Sequence, residues 1–258
     1  MSNPFGTDEM ATGYATSRPP VHPRVIEQVY QELERTEPFR RALDVGCGAG
    51  VSTRALSGFA GKCIGLEPAE AMVKWAAALA PSADFAVGTA EALPLGDGTV
   101  DLITAAGSLN YANLDRFFPE AARVLLPQGV LVVYDFSPGR TFRDATGLDE
   151  WFAGFYERFP PPVQEAQELS PEILANRNCG FRVGSHRRFE IGIPMTLEAY
   201  VNYVMTETNI AAAVRSGLLY AKIRSWCART LEPVWQGSER EVLFRGYFAC
   251  MTPTAPGS

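Results

Sequence analysis

Histidine is almost absent from this 258-residue chain, which has only His22 and His186, far apart in sequence. A Ser-His-Asp or Cys-His site would have to draw its base from one of those two. No Gly-x-Ser-x-Gly elbow is present either, so hydrolase chemistry has little support. Cysteine is scarce as well: Cys47, Cys63, Cys179, Cys227 and Cys250 form an odd, scattered set with no Cys-x-x-Cys pair. That argues against a disulfide scaffold and a zinc site, predicts no metal, and points to a reducing cytoplasm. Positive charge nowhere gathers into a block, and 23 Lys plus Arg stand against 29 Asp plus Glu for a net charge of −6. A nucleic-acid partner is therefore not expected. Apolar runs are short, as at Val130 to Val133, and MSNPFGTDEM has no charged start followed by an apolar stretch. Neither a membrane partner nor a secretory segment is predicted. Nothing in the pattern separates a monomer from a homodimer.

What is present is a chain 47% hydrophobic and 11% aromatic, enough to bury one large core or a core with a cap. Apolar residues at helical spacing follow Pro23. Short strands are predicted at Arg41 to Val45, Cys63 to Leu66, Asp84 to Val87, Val100 to Ala105 and Val130 to Phe136. Helices are predicted between them at Ser52 to Phe59, Ala69 to Ala80 and Leu114 to Leu126, with Met72, Trp75, Ala76 and Leu79 inward in the second. Such alternation implies parallel βαβ units and an α/β, Rossmann-like doubly wound sheet, mostly parallel, with helices on both faces. After Gly139 the pattern changes to an aromatic stripe, Trp151, Phe152, Phe155, Tyr156 and Phe159, then a helix start at Ser170. Strands at 181–194 and 242–252 would complete seven, with helices in 140–180 and 196–235 forming a cap inserted after strand five. The expected organisation is one domain over 1–258, with an arm at 1–22 and a core at 37–139.

The most informative segment is LDVGCGAG, Leu43 to Gly50, a strand that empties into glycines just before a helix. Glycines there let backbone approach a ligand closely, and the carboxyl ends of such strands are where nucleotide-like ligands bind. The dinucleotide fingerprint Gly-x-Gly-x-x-Gly would need glycine at 51, which is Val51. Glu67 ends the second strand, where a carboxylate can accept hydrogen bonds from both hydroxyls of a ribose.

With these residues the chain resembles the class I S-adenosylmethionine-dependent methyltransferases. The resemblance is to the small-molecule type 11 group, which includes ubiquinone/menaquinone C-methyltransferase-like and trans-aconitate methyltransferase-like enzymes. LDVGCGAG is similar to the family's first motif, IGLEPAEAM to its second-strand acid and following methionine, and GTAEALPLGDGTVDLI to its third-to-fourth-strand segment. SLNYANLDRFFPEAARVLLPQG and YATSRPPVHP extend the likeness over most of the chain. The resemblance implies S-adenosyl-L-methionine as cofactor, S-adenosyl-L-homocysteine as product and a small-molecule acceptor. It also implies that Asp44, Gly46, Cys47 through its backbone, Gly48 and Gly50 surround the methionine part, with Glu67 on the ribose. Pro68 and Met72 would lie near the adenine, Thr89 and Ala90 at its edge, and Gly107 and Ser108 facing the sulfonium. Tyr14 and Arg18 would belong to an arm over the site, where Arg18 pairs with the cofactor carboxylate. Thr89 stands where the family usually has Asp, and Asn110 and Tyr111 stand where many relatives have His-Trp.

Methyl transfer from a sulfonium needs mainly positioning, so no catalytic residue is assigned. Were a base used, His186, Tyr14, Tyr111 and Glu207 are the titratable candidates. Glu91, Asp97 and Asp101 read mainly as helix-start, turn and strand-start acids. The aromatic stripe is either core or the wall of an acceptor pocket, and Tyr200, Tyr203, Met205 and Trp226 form a second apolar face. Two other readings remain: a cofactor-binding protein of the same fold with a cyclase-type or binding role, and a nicotinamide-dependent oxidoreductase.

Overall fold

A computed structural model of the chain describes residues 17–161 and 166–254. These fall into two compact units, a larger one of 22–136, 166–189 and 246–254 and a smaller one of 17–21, 137–161 and 190–245. The helical stretch at 166–180, which sequence pattern assigns to the cap, thus groups with the larger unit.

The elements that build the larger unit are α1 (Val21–Glu32), β1 (Ala42–Val45), α2 (Val51–Leu56), β2 (Cys63–Glu67), α3 (Glu70–Leu79), β3 (Asp84–Val87) and β4 (Val100–Ala106). A single 3-10 turn (Leu109–Tyr111), α4 (Leu114–Val124) and β5 (Leu125–Phe136) follow. The strands run parallel in the order β3-β2-β1-β4-β5, with Ala42 opposite both Cys63 and Leu102, and Leu102 opposite Val130. The chain reverses its winding between β1 and β4, and the crevice at their carboxyl ends is where such sheets bind ligands. All four residues of β1 are buried, as a central strand covered on both faces requires. Leu43, Val45, Ile103, Ala105, Leu131 and Val133 share a core with Phe117, Phe118 and Ala121 of α4. The alternate residues face the other way: Asp44 meets Ser52 and Thr53 of α2, and Tyr134 meets His22 of α1 at 2.9 Å.

After β5 come β6 (Thr141–Phe142), α5 (Leu148–Arg158), α6 (Pro171–Asn176), β7 (Phe181–Met195), α7 (Leu197–Val204), α8 (Thr208–Arg215), α9 (Tyr220–Trp235) and β8 (Arg240–Pro253). In the larger unit the second half of β8 runs antiparallel to β5, Gly246 opposite Phe136 and Met251 opposite Leu131. In the smaller unit its first half pairs with β6, and β7 also pairs with β8. The sheet is therefore mixed and mostly parallel as predicted, with eight strands instead of seven, because the two-residue β6 is too short to leave a pattern.

One further expectation changes, and one left open between two readings is decided. On α3 only Ala76 is buried within the helix, while Met72, Trp75 and Leu79 are half-buried. A Cβ at Gly50 would lie 2.9 Å from that of Ala76, so the helix comes too near the glycine loop for a large side chain at the contact. The aromatic stripe of α5 is core of the smaller unit: Trp151 stacks on Phe155 at 5.0 Å and donates its indole N–H to Thr230 Oγ1 at 2.9 Å. Phe152, Phe155 and Phe159 are buried with it.

In the larger unit the stretch 88–99 between β3 and β4 has almost no regular structure, and Arg123 of α4 holds it. Its guanidinium donates to the carbonyls of Leu93 and Leu95, to Asp97 and, through two nitrogens, to Glu120. Glu120 also accepts the Leu93 N–H at 2.8 Å. The Arg123 hydrogen bonds, backed by that N–H, hold the Glu120 carboxyl down at about 2 against an ordinary 4.5. A depressed carboxyl stabilises the fold above its unfolded value and loses that contribution as pH falls. Glu120→Gln should thus cost about 1 kcal/mol at pH 7, after discounting for side chains 23% and 32% exposed, and the difference from wild type should vanish between pH 4.5 and about 2. Urea unfolding across that range measures it.

Candidate functional site

At the carboxyl ends of β1, β2 and β4 lies a cavity of about 480 Å³. It is lined by Gly46, Glu67, Pro68, Thr89, Ala90, Glu91, Ala106, Gly107, Ser108, Tyr111 and Ala112, all in the larger unit. Its floor is the loop after β1, tied down from two sides: the Gly46 and Cys47 N–H groups both donate to Leu66 O, and Ser108 Oγ donates to Val45 O at 2.6 Å. Gly46 has φ +70°, and a Cβ there would sit 2.3 Å from that of Ser108. Only glycine lets the two loops meet this closely.

Beneath the loop, Asp44 is fully buried. One carboxylate oxygen accepts from Ser52 Oγ at 2.6 Å and Thr53 Oγ1 at 2.7 Å, the other from Thr104 Oγ1 at 3.0 Å. Burial pushes its pKa up and the three hydroxyls oppose the rise. Asp44 joins β1, β4 and the start of α2, and its carboxylate is not part of the cavity lining.

Among the described residues, Glu67 is the one strand-end carboxylate that lines the cavity, and it is fixed in place there. Its Oε2 accepts the Gly48 N–H and its Oε1 the Ala69 N–H, each at 3.1 Å. A carboxylate has about four lone-pair positions, so each oxygen keeps room for one more donor. A vicinal diol supplies that pair. Thr89, Ala90 and Glu91 form the wall beyond it, with Glu91 turned back to accept the Asn113 N–H at 2.7 Å. Tyr111, 61% exposed, stands at the rim.

Of the residues expected from sequence, Gly46, Glu67, Pro68, Thr89, Ala90, Gly107 and Ser108 come together around this cavity. Gly48 contributes its N–H to Glu67, and Met72 Cε lies 3.6 Å from where a Gly48 side chain would start. Cys47 is buried, its thiol pushed far above its usual range by that burial, and Gly50 faces α3. Arg18 lies in the smaller unit, over the ring of Tyr203 at 5.5 Å, beside a separate cavity of about 300 Å³ lined with Pro19, Met195 and Asn202. Tyr14 falls outside the described residues. Of the acid–base candidates, His186 is exposed on β7, and Glu207 is half-buried in the smaller unit. Glu91, Ala106, Tyr111 and Ala112 line the cavity without having been assigned to it. In the sequence Tyr111 is singled out only as a candidate base and, with Asn110, for standing where many relatives have His-Trp. Among the described residues no group of three His, Cys, Asp or Glu is arranged to hold a metal.

Residues 43–133 match the family model described as a methyltransferase domain. A Mycolicibacterium smegmatis protein named for S-adenosylmethionine-dependent methyl transfer is 35% identical over 120 residues, 44% of this chain and 47% of that one. The demethylmenaquinone methyltransferase of Mycobacterium bovis is 32% identical over 139 residues, 54% of this chain and 57% of that one. The chain thus spans about half the length of the curated relatives it matches. A solved structure described as a type II methyltransferase from Anaeromyxobacter dehalogenans superimposes with a TM-score of 0.65 at 24% identity, over 89% of this chain and 97% of that one. That likeness shows the shared fold.

The packing at Gly46 predicts that Gly46→Ala lowers stability by about 2–3 kcal/mol, combining strain at positive φ with the clash against Ser108. Gly58→Ala, where nothing lies within 4 Å of the new Cβ, should stay within about 0.5 kcal/mol of wild type. Thermal denaturation of the pair decides it.

Proposed function

We propose that this chain, whose residues 43–133 match the methyltransferase-domain family model, transfers a methyl group from S-adenosyl-L-methionine to a small-molecule acceptor. The observation that carries the reading is Glu67, a strand-end carboxylate pinned by two backbone N–H groups yet with one free acceptor position on each oxygen, beside a cavity of nucleoside scale. The odd number and scattered spacing of the five cysteines support a reducing, cytoplasmic setting. Among the described residues no helix is long and apolar enough to cross a membrane.

The residues present fit the cofactor. Glu67 would accept from both ribose hydroxyls, and its negative charge disfavours a 2′-phosphate there. Gly46 and Gly107 keep side chains out of the space where the loops after β1 and β4 meet, and Ala90 with Thr89 presents the wall against the base. Bound there, S-adenosylmethionine supplies a methyl group already activated on a sulfonium. What remains for the protein is to hold acceptor, methyl carbon and sulfur in line on loops that keep still, and to exclude water; alignment of that kind can supply roughly 7–11 kcal/mol. Ser108 serves the first task, since its hydroxyl is engaged with Val45 O and so fixes the β4 loop against the β1 loop. Asp44 serves it from below.

Calorimetric titration with S-adenosylmethionine, S-adenosylhomocysteine and NAD tests the reading. The first two should bind and NAD should not, consistent with Val51 in place of a third fingerprint glycine. Glu67→Ala removes two hydrogen bonds to a charged group and should weaken both ligands by roughly 100-fold. Preference for NAD, or affinity indifferent to Glu67, would sink the proposal.

A further inference from the structure

The smaller unit contains a polar cluster that the proposed chemistry has not used. Tyr156 on α5 donates its hydroxyl hydrogen to Glu207 Oε2 at 2.8 Å and accepts a hydrogen bond from Arg140 Nη2. The same guanidinium nitrogen lies 4.0 Å from Glu207 Oε2, and its plane covers the rings of Tyr156 at 4.7 Å and Phe152 at 5.2 Å. Arg18 stands near enough to add its charge to that felt by Glu207.

Two atoms of this cluster are unfinished: Glu207 Oε1 and Arg140 Nε are buried and have no hydrogen-bond partner. Buried polar atoms are nearly always paired, and leaving one unmade is costly, more so where charge is involved. No local structural duty explains the acid. Glu207 occupies the position before α8 but its side chain makes no capping bond. Nor is the cluster sealed, since the Arg140 side chain keeps 40% of its surface and that of Glu207 14%.

We infer that the smaller unit carries a ligand site centred on Glu207 and Arg140. Its ligand presents one hydroxyl or amine hydrogen to Glu207 Oε1 and one carbonyl or carboxylate oxygen to Arg140. The hydrogen completes the carboxylate, whose other oxygen Tyr156 already holds. The oxygen answers the Arg140 Nε–H, which is buried without a partner. The inference goes beyond the methyl-transfer reading and does not depend on it: it assigns to the smaller unit a ligand bearing both groups.

The test uses three probes on the full-length protein saturated with S-adenosylhomocysteine: 3-hydroxybenzoate, which has both groups; 3-methoxybenzoate, which lacks the hydrogen; and phenol, which lacks the carboxylate. Ligand-observed NMR titration should find 3-hydroxybenzoate bound at least tenfold more tightly than either of the others. Glu207→Gln places an amide N–H₂ where a hydrogen acceptor is needed and should erase the preference over 3-methoxybenzoate. Tyr156→Phe, a milder change at a half-exposed ring, should reduce it three- to tenfold, and thermal denaturation confirms that both variants fold. If none of the probes binds, or if the preference survives Glu207→Gln, the inference is overturned and the unpartnered atoms hold water alone. Failure to saturate with S-adenosylhomocysteine in the first place would instead overturn the methyl-transfer reading, so the two failures are separable.

Discussion

A single carboxylate without access to water underlies the candidate site. Asp44 collects three hydroxyl hydrogens, two from the first turn of α2 and one from β4, and so fixes the helix start and the neighbouring strand to β1. Burying an acid this completely is costly unless its oxygens are filled, and here they are. The backbone between Asp44 and Ser52 is the glycine loop itself. With both of its ends anchored to one side chain, the loop has little freedom left, and the positive φ angles of Gly46, Gly48 and Gly50 become affordable as a fixed conformation. Everything above it follows: the Gly48 N–H is aimed at Glu67, and Ser108 closes down on Val45.

Much of this was legible in the sequence because its signals are local. A buried strand, a glycine run and a strand-end acid lie within 25 residues of one another, and each has a physical reason to be where it is. The role of Asp44 was not legible. The expectation placed it around the ligand, whereas its partners Ser52, Thr53 and Thr104 are ordinary hydroxyl residues whose convergence depends on the strand register. The same holds for α3, where Met72, Trp75 and Leu79 have the right spacing for an inward face. The spacing carries no information about how near the helix comes to Gly50, and that distance selected Ala76.

Beyond Gly139 the sequence is less informative for a related reason. The aromatic residues of α5 form a pattern, and the pattern is core. The polar residues that stand out physically, Arg140, Tyr156 and Glu207, are separated by 16 and 51 positions in their contacts and have no shared motif. Glu207 was visible only as one titratable residue among several. Two helices, α7 and α8, are split by the short Met205–Glu207 turn, and the acid stands at that break.

Arg123 has a consequence for how a ligand meets the cavity wall. The stretch from Gly88 to Thr99 is irregular, and irregular walls ordinarily have to be ordered when something binds, at a loss of conformational entropy. Here one guanidinium spans the Leu93 and Leu95 carbonyls and Asp97 before any ligand arrives. Thr89 and Ala90 therefore stand at the end of a segment that is already immobilised. Association at this edge should proceed as docking onto a rigid surface, with a small entropic penalty and amides in 93–99 that exchange with solvent as slowly before binding as after it.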